Sequence, residues 1–315
     1  MTAPVPVAAV VGPTATGKTH LAVELALRFS GEVISADSMQ IYRGLDIGTA
    51  KPTLEEMQGV PHYLVGFLDP SQPFSVAEYV RLASEAAADI RKRGKLPIIA
   101  GGTGLYVSSF LKGLNFSPEG RDDALRSLLR EKAKRDGPQS LVEELRTFDP
   151  ESAARIHPNN VGRVIRAIEV YRVTGVTMSE QMRRSREAPS VYDAAVIGLA
   201  YRDRTKLYDA IERRVDRMME AGLLQEAESV YTMEHPATAA QAIGYKEFFP
   251  YFRGECTLEE AIETVKRESR RYAKRQLTWF RREESVEWIF IDEFDKFQPL
   301  LARACEIVRR KGWKL

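Results

Sequence analysis

The sequence has few of the residues that bind transition metals or form disulfides. Its 315 residues include two cysteines, Cys256 and Cys305, and four histidines. Because the cysteines are far apart and no Cys-x-x-Cys pair occurs, the sequence contains no zinc-site signature, and we expect no structural disulfide. This cysteine usage fits a reducing compartment, and we expect a cytoplasmic protein.

Long apolar runs and a strong net charge are also lacking. No apolar stretch approaches the roughly 20 residues of a membrane-spanning helix, so we expect no membrane partner. The apolar stretch Val5–Val11 follows no basic region and runs into a glycine-bounded turn, so we interpret it as a strand and not as a signal peptide. The formal net charge is only +2, and a nucleic-acid partner would therefore need a local basic patch.

Directly after this predicted strand the sequence contains a phosphate-binding pattern. Residues 12–19 read G-P-T-A-T-G-K-T, and an apolar-periodic helix follows. A strand, a glycine-bounded turn and a helix in this order are the context of a P-loop, whose backbone N–H groups point at phosphate oxygens. Lys18 adds a positive charge, and the Thr19 hydroxyl can bind Mg²⁺. The pattern does not say which phosphate compound is bound, although most P-loops hold a nucleoside triphosphate.

Two further motifs follow predicted strands. Asp37 begins D-S-M-Q-I-Y after one strand, and Thr103 lies in G-G-T-G-L-Y after another. Because ligands of open α/β sheets lie beyond the carboxyl ends of the strands, both residues should lie beside the P-loop. Asp37 could be a general base, cap the next helix or hold a Mg²⁺-bound water. Thr103 could contact a ligand or belong to a tight turn.

The chain between residues 118 and 187 differs from the rest. β-branched apolar runs stop and helical periodicity takes over, punctuated by Asp-Pro and His-Pro. We therefore predict an α/β fold, a P-loop NTPase-like parallel sheet with flanking helices formed by residues 1–117 and 188–315, with an all-helical insertion domain at residues 118–187. The predicted strands are Val5–Val11, Glu32–Ala36, His62–Leu68, Leu96–Ala100, Asp193–Ala200 and Trp288–Ile291.

Positive charge is concentrated in two predicted helices. The helix from Thr257 to Arg282 contains eight Lys and Arg against two Glu between residues 262 and 282, a local excess of six. In the insertion, Arg163 and Arg166 are three residues apart and share one helix face. Each group could bind nucleic-acid phosphates or form a solvated face, while Tyr272 and Trp279 of the long helix could stack on bases or pack in the core.

Six motifs, in this order along the chain, resemble the tRNA dimethylallyltransferase family, the bacterial tRNA isopentenyltransferases. They span residues 12–281 and read G-P-T-A-T-G-K-T, D-S-M-Q-I-Y, D-I-G-T-A-K-P, G-G-T-G-L-Y, A-I-G-Y-K-E and R-Q-L-T-W-F-R. Two positions depart from the family pattern. Tyr63 stands in P-H-Y-L where the family often has P-H-H-L, and Gly162 precedes Arg163 where relatives often have Gln-Arg.

The resemblance implies a reaction and a set of partners. A dimethylallyl group would move from dimethylallyl diphosphate to the exocyclic amine of the adenosine 3′ of the anticodon, in tRNAs that read codons starting with U, and diphosphate would be released. The partners would be dimethylallyl diphosphate and the tRNA anticodon stem-loop, bound by a monomer with Mg²⁺ as cofactor. The target base is stacked in its loop and would have to be flipped out.

The resemblance also assigns roles to residues. Asp37 would be the general base, Lys18 would stabilise the leaving diphosphate, Thr103 would lie near the reacting atoms, and Thr19 would hold the metal. The implied diphosphate site comprises Gly12, Pro13, Thr14, Ala15, Thr16, Gly17, Lys18, Thr19 and Arg214. The implied tRNA contacts are Asp37, Ser38, Met39, Gln40 at the base edge, Thr103, Gly162, Arg163, Val164, Ile165, Arg166, Lys246, Arg271 and Arg275.

Three other functions remain open from the sequence alone. A P-loop small-molecule kinase using ATP shares the Asp-ended second strand, but it does not explain the basic helix. A non-catalytic RNA-binding protein would not need Lys18, Thr19 and Asp37. An adenylate isopentenyltransferase that makes a free cytokinin would not need the insertion or the basic helix.

Overall fold

The computed structural model describes residues 4–114, 122–187, 191–234 and 242–314, without the side chains of residues 185–187. The chain forms two compact units, one of residues 1–113 with 191–315 and one of residues 114–190. The insertion boundary predicted at residue 118 lies outside the described residues. Within the described ranges, no helix has the length and apolar character needed to cross a membrane.

The first unit is built on a parallel sheet, as predicted. Every pairing between neighbouring strands is parallel, in the order β3-β2-β4-β1-β5-β6. The central strands are nearly continuous apolar runs because helices cover both faces of such a sheet. The strands are β1 (Val5–Val11), β2 (Gly31–Ser35), β3 (His62–Tyr63), β4 (Leu96–Gly101), β5 (Tyr192–Ala200) and β6 (Val286–Phe290).

One strand is much shorter than predicted. The apolar run His62–Leu68 forms a strand only over His62–Tyr63. Leu64 and Gly66 have φ angles of 60° and 58°, in the left-handed region, and this turns the chain out of the extended conformation. Leu68 returns to form an isolated parallel bridge with Tyr42. The apolar character of the run comes from packing of this turn and not from a strand.

The helices follow the capping signals in the sequence. Ser75 and Glu78 form the predicted capping box, and Thr257 with Glu260 forms another at the start of the basic helix. The helices are α1 (Lys18–Arg28), α2 (Leu54–Met57), α3 (Val76–Lys92), α4 (Gly104–Leu111), α5 (Asp123–Asp136), α6 (Pro138–Arg146), α7 (Pro150–Arg155), α8 (Val161–Thr174), α9 (Met178–Glu187), α10 (Arg204–Glu220), α11 (Leu223–Tyr231), α12 (Phe249–Phe252), α13 (Leu258–Phe280) and α14 (Phe297–Arg309).

Each unit has its own hydrophobic core. In the first unit, α1 and α14 pack with the sheet through residues such as Leu21, Ile98 and Leu301. In the second unit, helices α5 to α8 enclose a separate cluster that includes Leu129, Leu141 and Ile168. The helices of the second unit therefore bury their apolar faces against one another.

Tyr63, the departure from P-H-H-L, is the second residue of β3 and pairs with Ile34 of β2. Its hydroxyl donates to the buried carboxylate of Glu32 at 2.8 Å, which Arg93 and Lys95 also contact. Hydrogen bonds from Arg93 are the main cause that lowers the pKa of Glu32 to about 2. The Tyr63 hydroxyl therefore belongs to a cluster of ion pairs and hydrogen bonds around Glu32.

Candidate functional site

The P-loop connects the carboxyl end of β1 to the start of α1. Gly12 has a φ of 139°, and a Cβ placed there would lie 2.3 Å from the carbonyl oxygen of Leu199 on β5. Gly17 is the left-handed residue before α1, and Lys18 is the first residue of that helix. The loop therefore has the backbone conformation and the helix N-terminus of an anion site.

A cavity of about 690 Å³ opens beside this loop, within the first unit. It is lined by most of the residues predicted for the site, which come from five separate segments of the chain. Gly12, Pro13, Thr103 and Arg271 are not among its lining residues. Those that line it are Thr14, Ala15, Thr16, Gly17, Lys18, Thr19, Asp37, Ser38, Met39, Gln40, Arg214, Lys246 and Arg275.

Lys18 and Arg214 make the cavity strongly cationic. Burial, assisted by the neighbouring charge of Arg214, lowers the pKa of Lys18 to about 7, and the Asp37 carboxylate opposes this shift. Burial likewise lowers the pKa of Arg214, again opposed by Asp37. Lys18 Nζ donates to the Pro13 carbonyl at 2.6 Å. Two neighbouring, partly buried cations favour a bound anion, because it would offset both their mutual repulsion and their lost hydration.

Asp37 closes the turn that follows β2, and Thr103 connects this turn to the segment that follows β4. Asp37 Oδ1 accepts hydrogen bonds from the backbone N–H groups of Met39 at 2.9 Å and Gln40 at 3.4 Å. Thr103 Oγ1 accepts from the backbone N–H of Ser38 at 3.1 Å. Asp37 therefore closes a turn with one oxygen and also lines the cavity. Among the residues that the structure describes, no helix begins directly after it, so the interpretation that Asp37 caps the next helix is wrong.

The Gln40 side-chain amide forms hydrogen bonds with other residues of the protein. Its nitrogen donates to the carbonyl of Ala50 at 3.0 Å, and its oxygen accepts from Ser35 Oγ at 3.0 Å. Gln40 thus joins the D-S-M-Q motif to the D-I-G-T-A-K-P loop, on the wall of the cavity. Contact with a base edge, the role implied by the resemblance, would require these bonds to be exchanged.

Glu226 is a residue that sequence reasoning missed. Its carboxylate accepts from the backbone N–H groups of Asp46, Ile47 and Gly48 at 2.7–2.9 Å, and from the Tyr245 hydroxyl at 2.7 Å. One side chain of α11 therefore holds the D-I-G-T-A-K-P loop and the A-I-G-Y-K-E motif together. No local pattern distinguishes this glutamate, since its partners are distant in sequence.

Helix α13 offers fewer free cations than its sequence suggests. Lys266 pairs with Asp216 at 2.7 Å and Arg270 with Glu212 at 2.5 Å, so these two cations join α13 to α10. Arg271 pairs with Glu268 at 2.6 Å. The exposed side chains of Lys274 and Arg275 remain the better candidates for phosphate contacts.

The two aromatic residues of α13 have different environments. The Trp279 indole N–H donates to Ser108 Oγ at 2.9 Å, and its ring lies against Gly104. Tyr272 lines the cavity, and burial raises its pKa, assisted by the charge of Asp37. Trp279 is held by these contacts and remains 39% exposed, whereas Tyr272 faces the same space as the P-loop.

The second unit exposes only part of its predicted tRNA-binding segment. Val164 and Ile165 are 0% and 3% exposed, and their side chains pack in the core of that unit. Gly162 and Arg163 lie exposed in the first turn of α8. Arg166 donates at 2.6 Å to the buried Glu169, which Arg126 also binds.

The metal prediction can be compared with the donors present. Thr19 lines the cavity next to Lys18. Among the residues with described positions, no group of three or more His, Cys, Asp or Glu could hold a metal ion. A hydroxyl beside a phosphate site fits Mg²⁺, which is commonly held by one or two protein oxygens together with substrate phosphates and water.

Comparison with known proteins identifies sequence and structural relatives. A sequence model described as IPP transferase matches residues 40–283, and one described as isopentenyl transferase matches residues 5–66. The chain is 49% identical over 295 residues to a tRNA dimethylallyltransferase of Thermoanaerobacter sp. (strain X514), covering 92% of this chain and 93% of the relative. It is 51% identical over 288 residues to that of Halalkalibacterium halodurans, covering 91% of each chain.

Two solved structures are similar over nearly the whole chain. The full-length tRNA isopentenylpyrophosphate transferase of Bacillus halodurans has a TM-score of 0.71 and 46% identity, with 98% of both chains covered. A eukaryotic dimethylallyltransferase described as acting on tRNA has a TM-score of 0.81 and 28% identity, with 97% of this chain and 80% of the other covered.

Proposed function

The chain belongs to the IPP transferase family and has the activity of a tRNA dimethylallyltransferase, and from this premise we propose how its own residues perform the reaction. The proposed donor is dimethylallyl diphosphate, and the acceptor is the exocyclic amine of the adenosine 3′ of the anticodon, in tRNAs that read codons starting with U. The similarity to tRNA dimethylallyltransferases over nearly the whole chain best supports this assignment, and one cavity that contains both the cationic P-loop and Asp37 fits it. A P-loop kinase is not favoured.

The P-loop end of the cavity would bind the diphosphate. Lys18 and Arg214 would neutralise the charge that develops on the leaving oxygen, and loop N–H groups at the start of α1 would add hydrogen bonds. The Thr19 hydroxyl and the diphosphate oxygens would hold Mg²⁺, which when bound would supply further charge neutralisation as a Lewis acid. The phosphates belong to the leaving group, so no nucleotide is needed.

Asp37 would accept the proton that the amine must lose. The adenosine nitrogen forms a bond to the allylic carbon, the bond from that carbon to the diphosphate oxygen breaks, and the electron pair leaves with the diphosphate. The Asp37 carboxylate takes the N–H proton. Thr103, which holds the neighbouring Ser38 by a hydrogen bond at 3.1 Å, would keep this turn in place.

The tRNA would be bound mainly through its phosphates. Arg275 and Lys246 line the cavity with exposed side chains, and Arg163 is exposed in the second unit. Their phosphate contacts would offset the few kcal/mol that flipping a stacked base costs. Since one chain contains the whole cavity, we propose that it acts as a monomer.

The activity can be tested with tRNA that lacks the modification. Incubation with dimethylallyl diphosphate and Mg²⁺, but without ATP, should add the mass of one dimethylallyl group to the adenosine 3′ of the anticodon, as measured by mass spectrometry of nuclease fragments. Free adenylate should remain unmodified under the same conditions. Transfer of label from the γ-phosphate of ATP, or prenylation of adenylate in place of tRNA, would contradict the proposal.

The salt dependence of tRNA binding tests the role of α13. Each phosphate contact releases counterions, so Lys274→Ala combined with Arg275→Ala should flatten the slope of log affinity against log salt by about two units, one for each lost contact. The loss should be equal for substrate and non-substrate tRNAs, because phosphates contain no sequence information. Filter binding at several salt concentrations measures both.

A matched pair on α14, Arg303→Ala with Arg309→Ala, removes the same charge elsewhere and should leave the slope unchanged. Arg270→Ala should affect stability more than the slope, because Arg270 is paired with Glu212. An unchanged slope in the Lys274 and Arg275 variant would remove this face of α13 from the proposed tRNA-binding surface.

A further inference from the structure

Gln276 is a buried polar residue on the apolar face of the basic helix, where Ala273 and Phe280 are also buried. It follows the exposed Arg275 but is itself only 5% exposed. A buried amide must find partners for both its oxygen and its nitrogen, or its desolvation is not compensated. In this structure the amide binds backbone groups of two loops at the cavity, and it also forms a side-chain hydrogen bond with Tyr272.

The two loops joined by Gln276 come from different strands. Its Oε1 accepts from the backbone N–H of Thr14 in the P-loop at 2.9 Å, and its Nε2 donates to the carbonyl of Gly102 after β4 at 3.0 Å. An amide matches these two groups because one needs an acceptor and the other a donor. A carboxylate or an apolar side chain would leave at least one of them without its partner.

The glycine at position 102 is explained by the same contact. A Cβ at Gly102 would lie 2.0 Å from Gln276 Nε2 and 3.1 Å from its amide carbon, whereas the next atom, the Gly12 carbonyl oxygen, would be 3.4 Å away. Gln276 is therefore the side chain that excludes a larger residue at position 102. The G-G-T-G-L-Y and R-Q-L-T-W-F-R motifs depend on each other through this contact.

The bond to Thr14 acts at a strained part of the P-loop. The next residue, Ala15, has a φ of 63°, in the left-handed region that residues other than glycine rarely adopt. Residues 14–19 all line the cavity. A hydrogen bond that fixes the Thr14 amide thus limits the conformations open to the backbone that would surround the phosphates.

We propose that Gln276 is a positioning residue for the diphosphate, which holds the P-loop in its binding conformation from the helix that faces the tRNA. This inference rests on the proposed function, because it takes the ligand of the P-loop to be a diphosphate. Gln276 itself touches neither substrate. Its effect is pre-organisation of the loop, whose N–H groups otherwise have to be ordered when the ligand binds.

The first experiment separates diphosphate binding from tRNA binding. Gln276→Met keeps the length of the side chain and removes its hydrogen bonds to both loops, so the affinity for inorganic diphosphate with Mg²⁺, measured by calorimetry, should fall at least about tenfold. The affinity for tRNA should stay within about twofold, because the side chain is buried. Thr278→Val, two residues along the same helix, is the control and should change neither affinity.

The second experiment uses Gly102→Ala, which keeps Gln276 but displaces its amide. Gly102→Ala alone should weaken diphosphate binding about as much as Gln276→Ala. In the variant that combines Gly102→Ala with Gln276→Ala, the change at position 102 should not weaken diphosphate binding further, because the Gln276 amide that the new Cβ would meet is absent. Additive losses would overturn the proposal, as would equal or tighter diphosphate binding by Gln276→Met.

These outcomes are distinguishable from failure of the proposed function. If the folded wild-type protein does not bind inorganic diphosphate, the assignment of the P-loop ligand is wrong. If it binds and Gln276→Met binds equally well, only the role of Gln276 is wrong. If Gln276→Met does not fold, the affinities of Gly102→Ala, Gln276→Ala and the variant with both changes still show whether the two losses are additive.

Discussion

Replacing Asp37 with Asn should lower the rate of prenyl transfer by about 10²-fold or more while the substrates still bind. The asparagine oxygen can accept the same hydrogen bonds from Met39 and Gln40 that Asp37 Oδ1 accepts now. The turn should therefore keep its shape, but the amide cannot take a proton from the attacking amine. General-base catalysis typically contributes about 10²–10⁴-fold, which sets the expected loss.

Single-turnover kinetics with enzyme in excess over tRNA would measure this loss directly, since product release is then excluded from the observed rate. The affinities for tRNA and diphosphate should remain within about threefold of the wild-type values, because a phosphate contact is not removed. Asp209→Asn, an exposed carboxylate on α10, is the matched control and should have the wild-type rate. A rate within threefold of wild type for Asp37→Asn would end the general-base hypothesis and leave Asp37 with its turn-closing role.

Replacing Lys18 with Met should weaken diphosphate binding and slow the chemical step together. The ammonium would contact the phosphates both before and during the departure of the leaving group, so its loss should reduce kcat/KM for dimethylallyl diphosphate by about 10²-fold or more. Thr19→Ala should also lower kcat/KM for dimethylallyl diphosphate. It should reduce the increase in rate that added Mg²⁺ produces. Neither variant should acquire or lose a dependence on ATP, and an absolute ATP requirement in the wild type would overturn this view of the P-loop.

Lys18 also predicts a pH dependence. Its pKa in the cavity is about 7, lowered mainly by burial. A bound diphosphate favours the protonated ammonium, so binding should take up a proton above pH 7, and affinity should fall as the pH rises through the alkaline range. In Lys18→Met the lysine no longer titrates, and only the titration of the diphosphate itself remains. The plot of diphosphate affinity against pH should therefore be flatter for this variant. Parallel profiles for the two proteins would show that Lys18 does not titrate on binding.

The sequence by itself determined the parts of this protein that depend on local pattern. Continuous apolar runs identified the central strands, apolar patterns of period 3.6 identified the long helices, and capping residues such as Ser75 marked where helices begin. The P-loop was recognisable because its glycines, its lysine and its flanking elements are contiguous. Ligands lie beyond the carboxyl ends of parallel strands, and this rule correctly predicted that Asp37 lies at the same edge of the sheet as the P-loop.

Only the tertiary structure decided which polar residues face the cavity and which hold the protein together. In sequence Lys266 and Arg270 resemble Lys274, but their partners Asp216 and Glu212 lie on another helix. Glu226 and Gln276 have no local signature, because the groups they bind are distant along the chain. Propensity and periodicity depend on neighbours in sequence, whereas ion pairs, burial and pKa shifts depend on neighbours in space, and these are set only when the strands and helices pack.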